Sequence, residues 1–444
     1  MGEFHRKRHF TSARIIIMGF ASVILAGSLL LMLPVATRSG QSAPFLDALF
    51  TSTSATCVTG LVVHDTAQYW SVFGQAVILC LIQVGGMGVI TVAIAFTALS
   101  RKKIGLMERS TMQEAISAHQ VGGVVRLTRT IVKATILIEL AGAAALAPRF
   151  CADFGLGKGL WYSLFHSISA FCNAGFDLMG IQGPYSSLVH YAGDPLVNIT
   201  IMLLIIVGGI GFLTWTDVAS NKLHFHKYKM QTKVIIVSTL ILISVPTLYV
   251  FFCEFAGRPG QERLLASLFQ SVTARTAGFN TVDLTQLHET GLAILIILMI
   301  IGGSPGSTAG GIKTTTFAVL VGTAGSVFTK RESASFFGRR ISNDTLRDAI
   351  TVILMYIMLT VTGALIISYR ESLPLLTTLF EASSAIGTVG LSLGITSSVG
   401  VVSRLILIFL MFFGRVGGLT LVFAAFSDKT SAASRYPVEK IMVC

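Results

Sequence analysis

The sequence predicts an all-α integral membrane protein built from four tandem span–pore-helix–span repeats around a pseudo-fourfold axis. Three observations lead to this fold class. The first is composition, because 53% of the 444 residues are hydrophobic and only 12% are charged, whereas soluble domains carry about 25% charged residues. The second is a series of apolar segments of bilayer length. The third is a short motif that occurs four times.

Eight apolar segments, almost free of charge, are the candidate membrane spans. A helix needs about 20 apolar residues to cross the hydrocarbon core of a bilayer. Most of the segments reach that length, and the sixth is shorter because glycines interrupt it. The segments are 15–36, 72–99, 131–148, 196–216, 234–253, 291–303, 349–368 and 401–426.

The basic residues are distributed unevenly between the two sides of these spans. If eight spans alternate in direction, 23 of the 33 Lys and Arg residues fall on one side and seven on the other. Cytoplasmic segments of membrane proteins carry such an excess. The sequence therefore predicts a multi-pass protein of the cell membrane with both termini cytoplasmic. The same distribution argues that the net charge of +12 does not indicate nucleic-acid binding.

A motif of Leu-Phe, four residues and Ala, followed by Gly, recurs between paired spans. Its glycines are Gly60, Gly175, Gly278 and Gly390, spaced 115, 103 and 112 residues apart, and the third copy is one residue shorter. Repetition at near-even spacing is the signature of a repeat architecture. The predicted repeats are 1–100, 101–220, 221–340 and 341–426, followed by a cytoplasmic tail, 427–444.

Each motif lies in an apolar segment about half a bilayer long. A dozen residues at about 1.5 Å each cannot cross the hydrocarbon. Helix-start signals precede them: Pro44 and Asp47 in the first copy, and Ser372 and Pro374 in the fourth. Irregular backbone at membrane depth is tolerated only where it is buried or lines water. Four re-entrant loops therefore predict a shared, pseudo-fourfold central pore.

The loops after the half-helices suit a cation. Rings of backbone carbonyls can replace the hydration shell of an ion, and each half-helix directs a C-terminus worth about half a negative charge toward the pore. No loop contains a carboxylate, which argues against a ring of charged side chains. The predicted filter residues are Cys57, Val58, Thr59, Gly60, Cys172, Asn173, Ala174, Gly175, Arg275, Thr276, Ala277, Gly278, Gly387, Thr388, Val389 and Gly390.

These motifs resemble those of the Trk/Ktr/HKT superfamily of potassium-translocating membrane subunits, and most closely its bacterial Ktr-type members. The resemblance covers essentially the whole chain and includes the loops at 56–60, 173–176, 275–280 and 387–390. It implies that the four motif glycines belong to a potassium filter. Glycine rather than serine at position 60 favours potassium, and sodium is the second candidate cargo. Cys57 and Cys172 depart from the usual family pattern.

The resemblance also implies partners. It implies a homodimer seated on a cytoplasmic ring of nucleotide-binding regulatory subunits of the Ktr type. The basic cytoplasmic segments and the tail are candidate docking surfaces, although contact with membrane lipid head groups explains the same charges. This chain is itself expected to bind no nucleotide. Its Gly306…Gly311 stretch resembles a phosphate loop, but Ile312 separates the second glycine from Lys313 and no strand precedes it.

Segment 302–311 is rich in glycine and contains a proline, so it cannot form a lipid-facing helix. The resemblance implies that it is a gate beneath the filter. Arg415, at a corresponding depth in the fourth repeat, is a functional candidate because an intramembrane arginine is costly; the alternative is snorkelling to an interface. We hypothesise that Arg415 contacts the loop and opposes cation passage. The gate residues are Gly306, Ser307, Thr308, Ala309, Gly310, Gly311, Lys313 and Arg415.

Two carboxylates lie at membrane depth. Glu139, inside the third span, is expected to make a structural pairing, and Glu381, in the fourth half-helix, is a candidate for tuning the electric field near the filter.

Two other functional classes are alternatives to a pore. A secondary cation symporter coupled to sodium or protons is the alternative function, although such folds typically show two inverted repeats. An enzyme is not expected, because the nine histidines are scattered and no H-E-x-x-H or G-x-S-x-G motif is present.

Overall fold

The computed structural model describes residues 12–89, 113, 124–222, 224–331, 333–418 and 420. Within them the chain is mainly helical, and four helices are long and apolar enough to cross a membrane: Ser12–Leu31, Val125–Phe154, Met230–Glu254 and Asn343–Glu371. The prediction of a helical, membrane-spanning protein is confirmed. The tail at 427–444 and most of the basic segment 101–123 lie outside the described residues.

Each of the four predicted repeats contains, in chain order, a long first span, a half-helix and a second span. The first span of the third repeat is an α-helix, Met230–Tyr249, that continues as a π-helical turn, Val250–Glu254. The half-helices are Phe45–Thr56, Leu156–Phe171, Gly260–Thr273 and Leu375–Gly387. The second spans begin with the helices Val72–Met87, Pro195–Gly209, Glu289–Ile300 and Val401–Val416.

Proline precedes three of the half-helices, at Pro44, Pro259 and Pro374. Proline suits a helix start because it fixes φ and has no N–H group to satisfy. The sequence assigned Ser372 to the same start, and this was wrong. Ser372 has a φ of 53° and ends the preceding helix, Asn343–Glu371, so it closes the first span before Pro374 opens the half-helix.

Asp47 lies in the first turn of the first half-helix, but its main contacts are ionic. Its carboxylate accepts hydrogen bonds from Arg404 Nη1 and from His64 Nε2, each at 2.8 Å. Arg404 belongs to the second span of the fourth repeat. The ion pair therefore joins the beginning of the chain to its last described helix, which holds the ends of the repeat series together.

The second spans break where the sequence predicted continuous helix. Segment 196–216 forms two helices, Pro195–Gly209 and Phe212–Asn221, bent by 96°, so the prediction of an uninterrupted fourth span is wrong. The bend occurs at Gly211, whose φ is 92°, a value open to glycine at little cost. Gly88 and Gly417 end the corresponding helices with nearly the same dihedral angles.

The sixth apolar segment divides at its glycine-rich stretch. The helix Glu289–Ile300 ends there, an irregular loop follows, and the helix Thr314–Phe328 resumes. We call residues 302–311 the gating loop. Beyond it, the strands Ser335–Phe336 and Arg339–Arg340 form a short antiparallel hairpin. Segments 72–99 and 401–426 run partly outside the described residues.

The half-helices form the buried centre of the molecule, and the first spans lie at its periphery. The phenylalanine of the repeated motif is fully buried in all four copies. The first spans instead expose large apolar side chains. Such a surface is unfavourable in water but matches lipid hydrocarbon. The exposed side chains include Leu25, Leu29, Leu137, Leu140, Leu240, Leu248, Leu354 and Met358.

Candidate ion pathway

The four motif glycines pack against one another's loops in a closed ring. Each glycine lies against the carbonyl oxygen of the residue that precedes the next motif glycine. A Cβ placed on Gly60 would lie 2.5 Å from Ala174 O, and one placed on Gly175 would lie 2.6 Å from Ala277 O. Neither position has room for a side chain. The contacts around the ring are Gly60–Ala174, Gly175–Ala277, Gly278–Val389 and Gly390–Thr59.

The backbone of the four loops has the same unusual conformation. The residue two positions before each motif glycine has a φ between 51° and 74°, and the glycines have φ between 69° and 94°. Left-handed backbone is strained for residues with a side chain, especially β-branched ones, and such strain concentrates at functional sites. The residue between them is not left-handed in any of the four loops. The four non-glycine residues are Val58, Asn173, Thr276 and Thr388.

Four hydroxyl side chains fasten these loops to their half-helices, and the sequence analysis missed them. Ser54 and Ser384 accept hydrogen bonds from the N–H groups of Gly60 and Gly390, at 3.1 and 3.0 Å. Ser169 and Thr273 donate to the carbonyl of the residue after the motif glycine, both at 2.7 Å. The signal was present, because a serine or threonine directly precedes the motif alanine in every copy.

Several buried oxygen atoms in the loops have no protein partner. The hydroxyls of Thr56, Thr59 and Thr388 are buried and make no hydrogen bond. Buried polar groups are normally satisfied, and leaving them unpaired is costly. Oxygen atoms, with the neighbouring carbonyls, are the ligands that a desolvated alkali cation requires. The donor set of the loops therefore fits a cation as cargo.

A cavity of about 400 Å³, which we call the vestibule, opens onto the ring. All four motif glycines line it, together with the carboxylates of Asp65, Asp177 and Asp283. Its described lining contains no lysine or arginine. A cleft lined by charges of one sign raises the local concentration of the opposite ion, so this cavity attracts cations.

The vestibule carboxylates differ in their protonation. The Thr285 hydroxyl and backbone N–H donate to Asp283 and hold the pKa of that carboxyl below its ordinary value. Burial raises the pKa of Asp177 to about 7, against a hydrogen bond from the Met179 N–H that lowers it. Asp283 therefore stays ionised near neutrality, whereas Asp177 loses its charge as the pH falls through about 7.

A second cavity, of about 350 Å³, lies on the gating loop, and we call it the loop cavity. Gly306, Ser307, Ala309 and Gly311 of the loop line it, with Lys313 and Arg415. Among the described residues it has no acidic lining, and it shares no lining residue with the vestibule. The two cavities therefore differ in charge, because the vestibule lining is acidic and the loop-cavity lining is basic.

Arg415 binds backbone carbonyls rather than an acid. Its Nη1 donates to Thr308 O in the gating loop, and its Nη2 donates to Gly85 O and, at 3.0 Å, to Gly86 O. Lys313 Nζ donates to Ala309 O at 2.8 Å. Carbonyl partners orient both side chains without neutralising the Arg415 guanidinium, so its positive charge remains beside the loop cavity.

The position of Arg415 within its span is defined by glycine packing. Glycine pairs occur in the second spans at Gly85-Gly86, Gly208-Gly209 and Gly417-Gly418, but the last pair lies three residues out of register with the other two. Gly85, Gly208 and Gly414 each pack against the carbonyl four positions before a motif glycine. Arg415 therefore occupies the position held by Gly86 and Gly209. A large charged side chain lies where two other second spans have glycine.

The residues three positions before the motif glycines line neither cavity. Cys57 is fully buried in an apolar cluster. The Cys172 sulfur packs near Gln83 and Glu139, and Gln83 Nε2 donates to Glu139 at 3.1 Å. Arg275 Nη2 lies 3.4 Å from Gly302 O at the start of the gating loop. These side chains support the loops from behind and do not face the vestibule.

Glu381 also lies behind its loop. The hydroxyls of Ser392 and Thr396 donate to its carboxylate. Both residues line the vestibule. The carboxylate therefore fixes the segment that follows Gly390 to the fourth half-helix.

Comparisons with known proteins identify the family. The chain matches the model of the TrkH family, described as cation transport protein, over residues 5–434. This chain belongs to that family. It is 38% identical to the potassium/sodium uptake protein NtpJ of Enterococcus hirae, over 98% of both chains. It is 40% identical to the Ktr system potassium uptake protein B of Bacillus subtilis, over 96% of both chains.

A solved structure supports the same fold. The crystal structure of the potassium transporter TrkH from Vibrio parahaemolyticus aligns with a TM-score of 0.74 at 19% identity, covering 95% of this chain and 86% of that one. The resemblance inferred from the loops is therefore confirmed. The protein is a membrane transporter of the cation transport family.

Replacing Gly175 with alanine should abolish most cation uptake, because the added methyl group would overlap Ala277 O. Overpacking costs about 1–3 kcal/mol, so we expect uptake to fall by about fivefold or more. Gly40 is a matched control, since its φ of 70° nearly equals the 69° of Gly175 but no atom lies within 4 Å of its added Cβ. Uptake assays in cells should find Gly40→Ala close to wild type. Equal losses in both variants would show that backbone strain, not the ring, is responsible.

Cation uptake at limiting ion concentration should fall as the external pH drops from about 8 to about 6. Protonation of Asp177 removes one vestibule charge, and we expect about a two- to fivefold effect. Asp177→Asn should give low uptake with little dependence on pH. His190 also lines the vestibule, so the His190→Gln variant serves as the control and must retain the fall. A fall that disappears in His190→Gln and persists in Asp177→Asn would reverse the assignment.

Proposed function

We propose that this chain is the pore subunit through which potassium enters the cell, down its electrochemical gradient. Four repeats surround a pseudo-fourfold pore, and potassium passes from the vestibule through the glycine ring to the loop cavity. The observation that carries the proposal is the closed series of glycine–carbonyl contacts, in which the fourth loop meets the first. Loops of four repeats can close in this way when they share one axis.

The filter would select through backbone oxygen. Each half-helix ends three to five residues before its motif glycine, with end residues Thr56, Phe171, Thr273 and Gly387. Four helix C-termini near one point contribute about half a negative charge each and favour a cation over an anion. The left-handed residues in each loop supply the backbone geometry that a carbonyl ring needs.

Potassium is the proposed main cargo and sodium the second. The printed names of the relatives support this order, since one is a potassium uptake protein and another a potassium/sodium uptake protein. A membrane potential supplies about 2.3 kcal/mol per charge per 100 mV, which suffices to accumulate a cation without hydrolysis of a nucleotide by this chain. A symporter coupled to sodium or protons is the alternative, and it would show a fixed ion stoichiometry.

The gating loop would control the path. In the arrangement described, the Arg415 guanidinium holds the loop by Thr308 O and keeps a positive charge beside the loop cavity. A cation approaching this cavity is repelled by Arg415. Movement of the loop would release the Arg415 contact and lower this electrostatic barrier.

Regulation would come from other subunits. The word "system" in the names of the Ktr relatives is consistent with a separate regulatory subunit. We propose a homodimer seated on a cytoplasmic ring of nucleotide-binding subunits, with both termini of this chain cytoplasmic. The basic cytoplasmic segments would contact that ring, the lipid head groups, or both.

Flux into vesicles that contain only this purified chain tests the proposed function. With a negative-inside potential, potassium should enter without a co-ion and faster than sodium. Empty vesicles and vesicles with Gly175→Ala protein are the controls. Potassium entry that requires a fixed number of sodium ions or protons would replace the pore with the symporter.

Replacing Arg415 with alanine should raise basal potassium flux about tenfold or more, because it removes the loop contact and about 1–3 kcal/mol of charge-assisted hydrogen bonding. Arg415→Lys keeps the charge but cannot reach all three carbonyls, so its flux should be intermediate. Stopped-flow measurements on vesicles with equal protein content give the comparison. Unchanged or reduced flux in Arg415→Ala, with normal thermal stability in detergent, would contradict the gate role.

A further inference from the structure

Thr308 is the residue through which the gating loop hydrogen-bonds to the second filter loop. Its fully buried hydroxyl lies 3.1 Å from Phe171 O and 3.2 Å from Asn173 Oδ1. Its carbonyl oxygen is the acceptor for Arg415 Nη1. One residue therefore connects the arginine on one side with the second filter loop on the other.

Asn173 extends this connection to the next filter loop. Its Nδ2 donates to Thr276 Oγ1 at 3.2 Å. Both residues are buried, and both are the left-handed residues of their loops. Within the part of the chain that the structure describes, this is the one side-chain hydrogen bond that joins two filter loops. The orientation of the Asn173 carboxamide therefore bears on the backbone of both.

The contact of the gating loop with the fourth filter loop is different in kind. Gly310 packs closely against the side chain of Thr388, but the Thr388 hydroxyl makes no hydrogen bond. Two polar contacts thus join the gating loop to filter-loop residues, through Thr308 and through the Arg275–Gly302 hydrogen bond, and of the two only Thr308 reaches the Asn173 carboxamide that bridges two loops. Packing contacts alone do not orient a carboxamide, whereas a hydrogen bond does.

We infer that Thr308 is a positioning residue that makes ion selectivity depend on the position of the gating loop. The inference deepens the proposed function and rests on it. While the loop is in place, the single hydroxyl proton of Thr308 is shared between Phe171 O and Asn173 Oδ1. When the loop moves aside, the buried Asn173 oxygen loses its donor and the carboxamide is free to turn. Thr276 then loses a fixed partner, and the carbonyls of the two loops gain freedom.

Selectivity between potassium and sodium is sensitive to such freedom. The two ions carry the same charge and differ in size, so discrimination depends on how closely and how rigidly the carbonyls are held. A buried hydrogen bond contributes about 0.5–1.5 kcal/mol, which corresponds to a change of about two- to tenfold in an equilibrium. The open pore is therefore less selective than the filter in the loop-closed arrangement.

The Thr308→Val variant tests the inference, because it removes the hydroxyl and keeps the shape. The ratio of potassium to sodium flux into vesicles should fall about three- to tenfold. Thr308→Ser keeps a hydroxyl and should restore the ratio. Thr314→Val is the matched control, since Thr314 is equally buried but its hydroxyl pairs with Ser304 and not with the filter. A wild-type ratio in Thr308→Val, with potassium flux retained, would overturn the inference and leave the proposed function standing.

The Arg415→Ala variant provides a second test of the inference, which does not depend on correct folding of the Thr308→Val variant. Releasing the loop should lower the flux ratio to the Thr308→Val value. The double variant should fall no further, because both changes remove the same hydrogen bond. An Arg415→Ala pore with raised flux and an undiminished ratio would refute the coupling, as would additive losses in the double variant. Absence of potassium flux in the wild-type protein would instead overturn the proposed function.

Discussion

The glycine–carbonyl contact is the constraint on which the rest of this architecture depends. Four loops can approach so closely only where no side chain intervenes, and each contact involves a different pair of loops. The half-helices, the hydroxyls that precede the motif alanines and the Asp47–Arg404 ion pair all serve to hold these loops at that distance. Because the ring is closed, a displacement of one loop is transmitted to its two neighbours.

The sequence predicted the parts of the fold that depend on local pattern. Apolar length identified the first spans, and the repeated Leu-Phe…Ala…Gly pattern located all four loops. It failed where distant segments decide the conformation. The bend at Gly211 is accompanied by a hydrogen bond from Phe212 N–H to Gly306 O in the gating loop. The local sequence pattern around Gly211 does not predict a contact with so distant a segment. The register of Gly414 was likewise set by packing against a carbonyl of another helix.

The candidate site was predicted as a set of residues but not as a set of roles. Filter and gate residues were predicted from their positions in the repeats. The side chains of Cys57, Cys172 and Arg275 nevertheless do not line the vestibule. The sequence around Thr308 does not reveal its hydrogen bonds to the second filter loop and to Arg415. The direction of a side chain depends on the backbone dihedral angles, and the identity of a single residue does not determine those angles. The hydroxyls at Ser54, Ser169, Thr273 and Ser384 form a repeated sequence pattern, but only the fold shows that each one bonds to the backbone of its loop.

Encoding four unequal repeats in one polypeptide has a consequence for the arginine beside the loop cavity. Two of the corresponding positions, at Gly86 and Gly209, carry no side chain. Were four identical subunits to form such a ring, any substitution would appear four times, and four guanidinium groups converging on one axis would repel each other and close the passage permanently. A covalently joined ring can instead place a single arginine on one side of the passage, as the proposed gate requires.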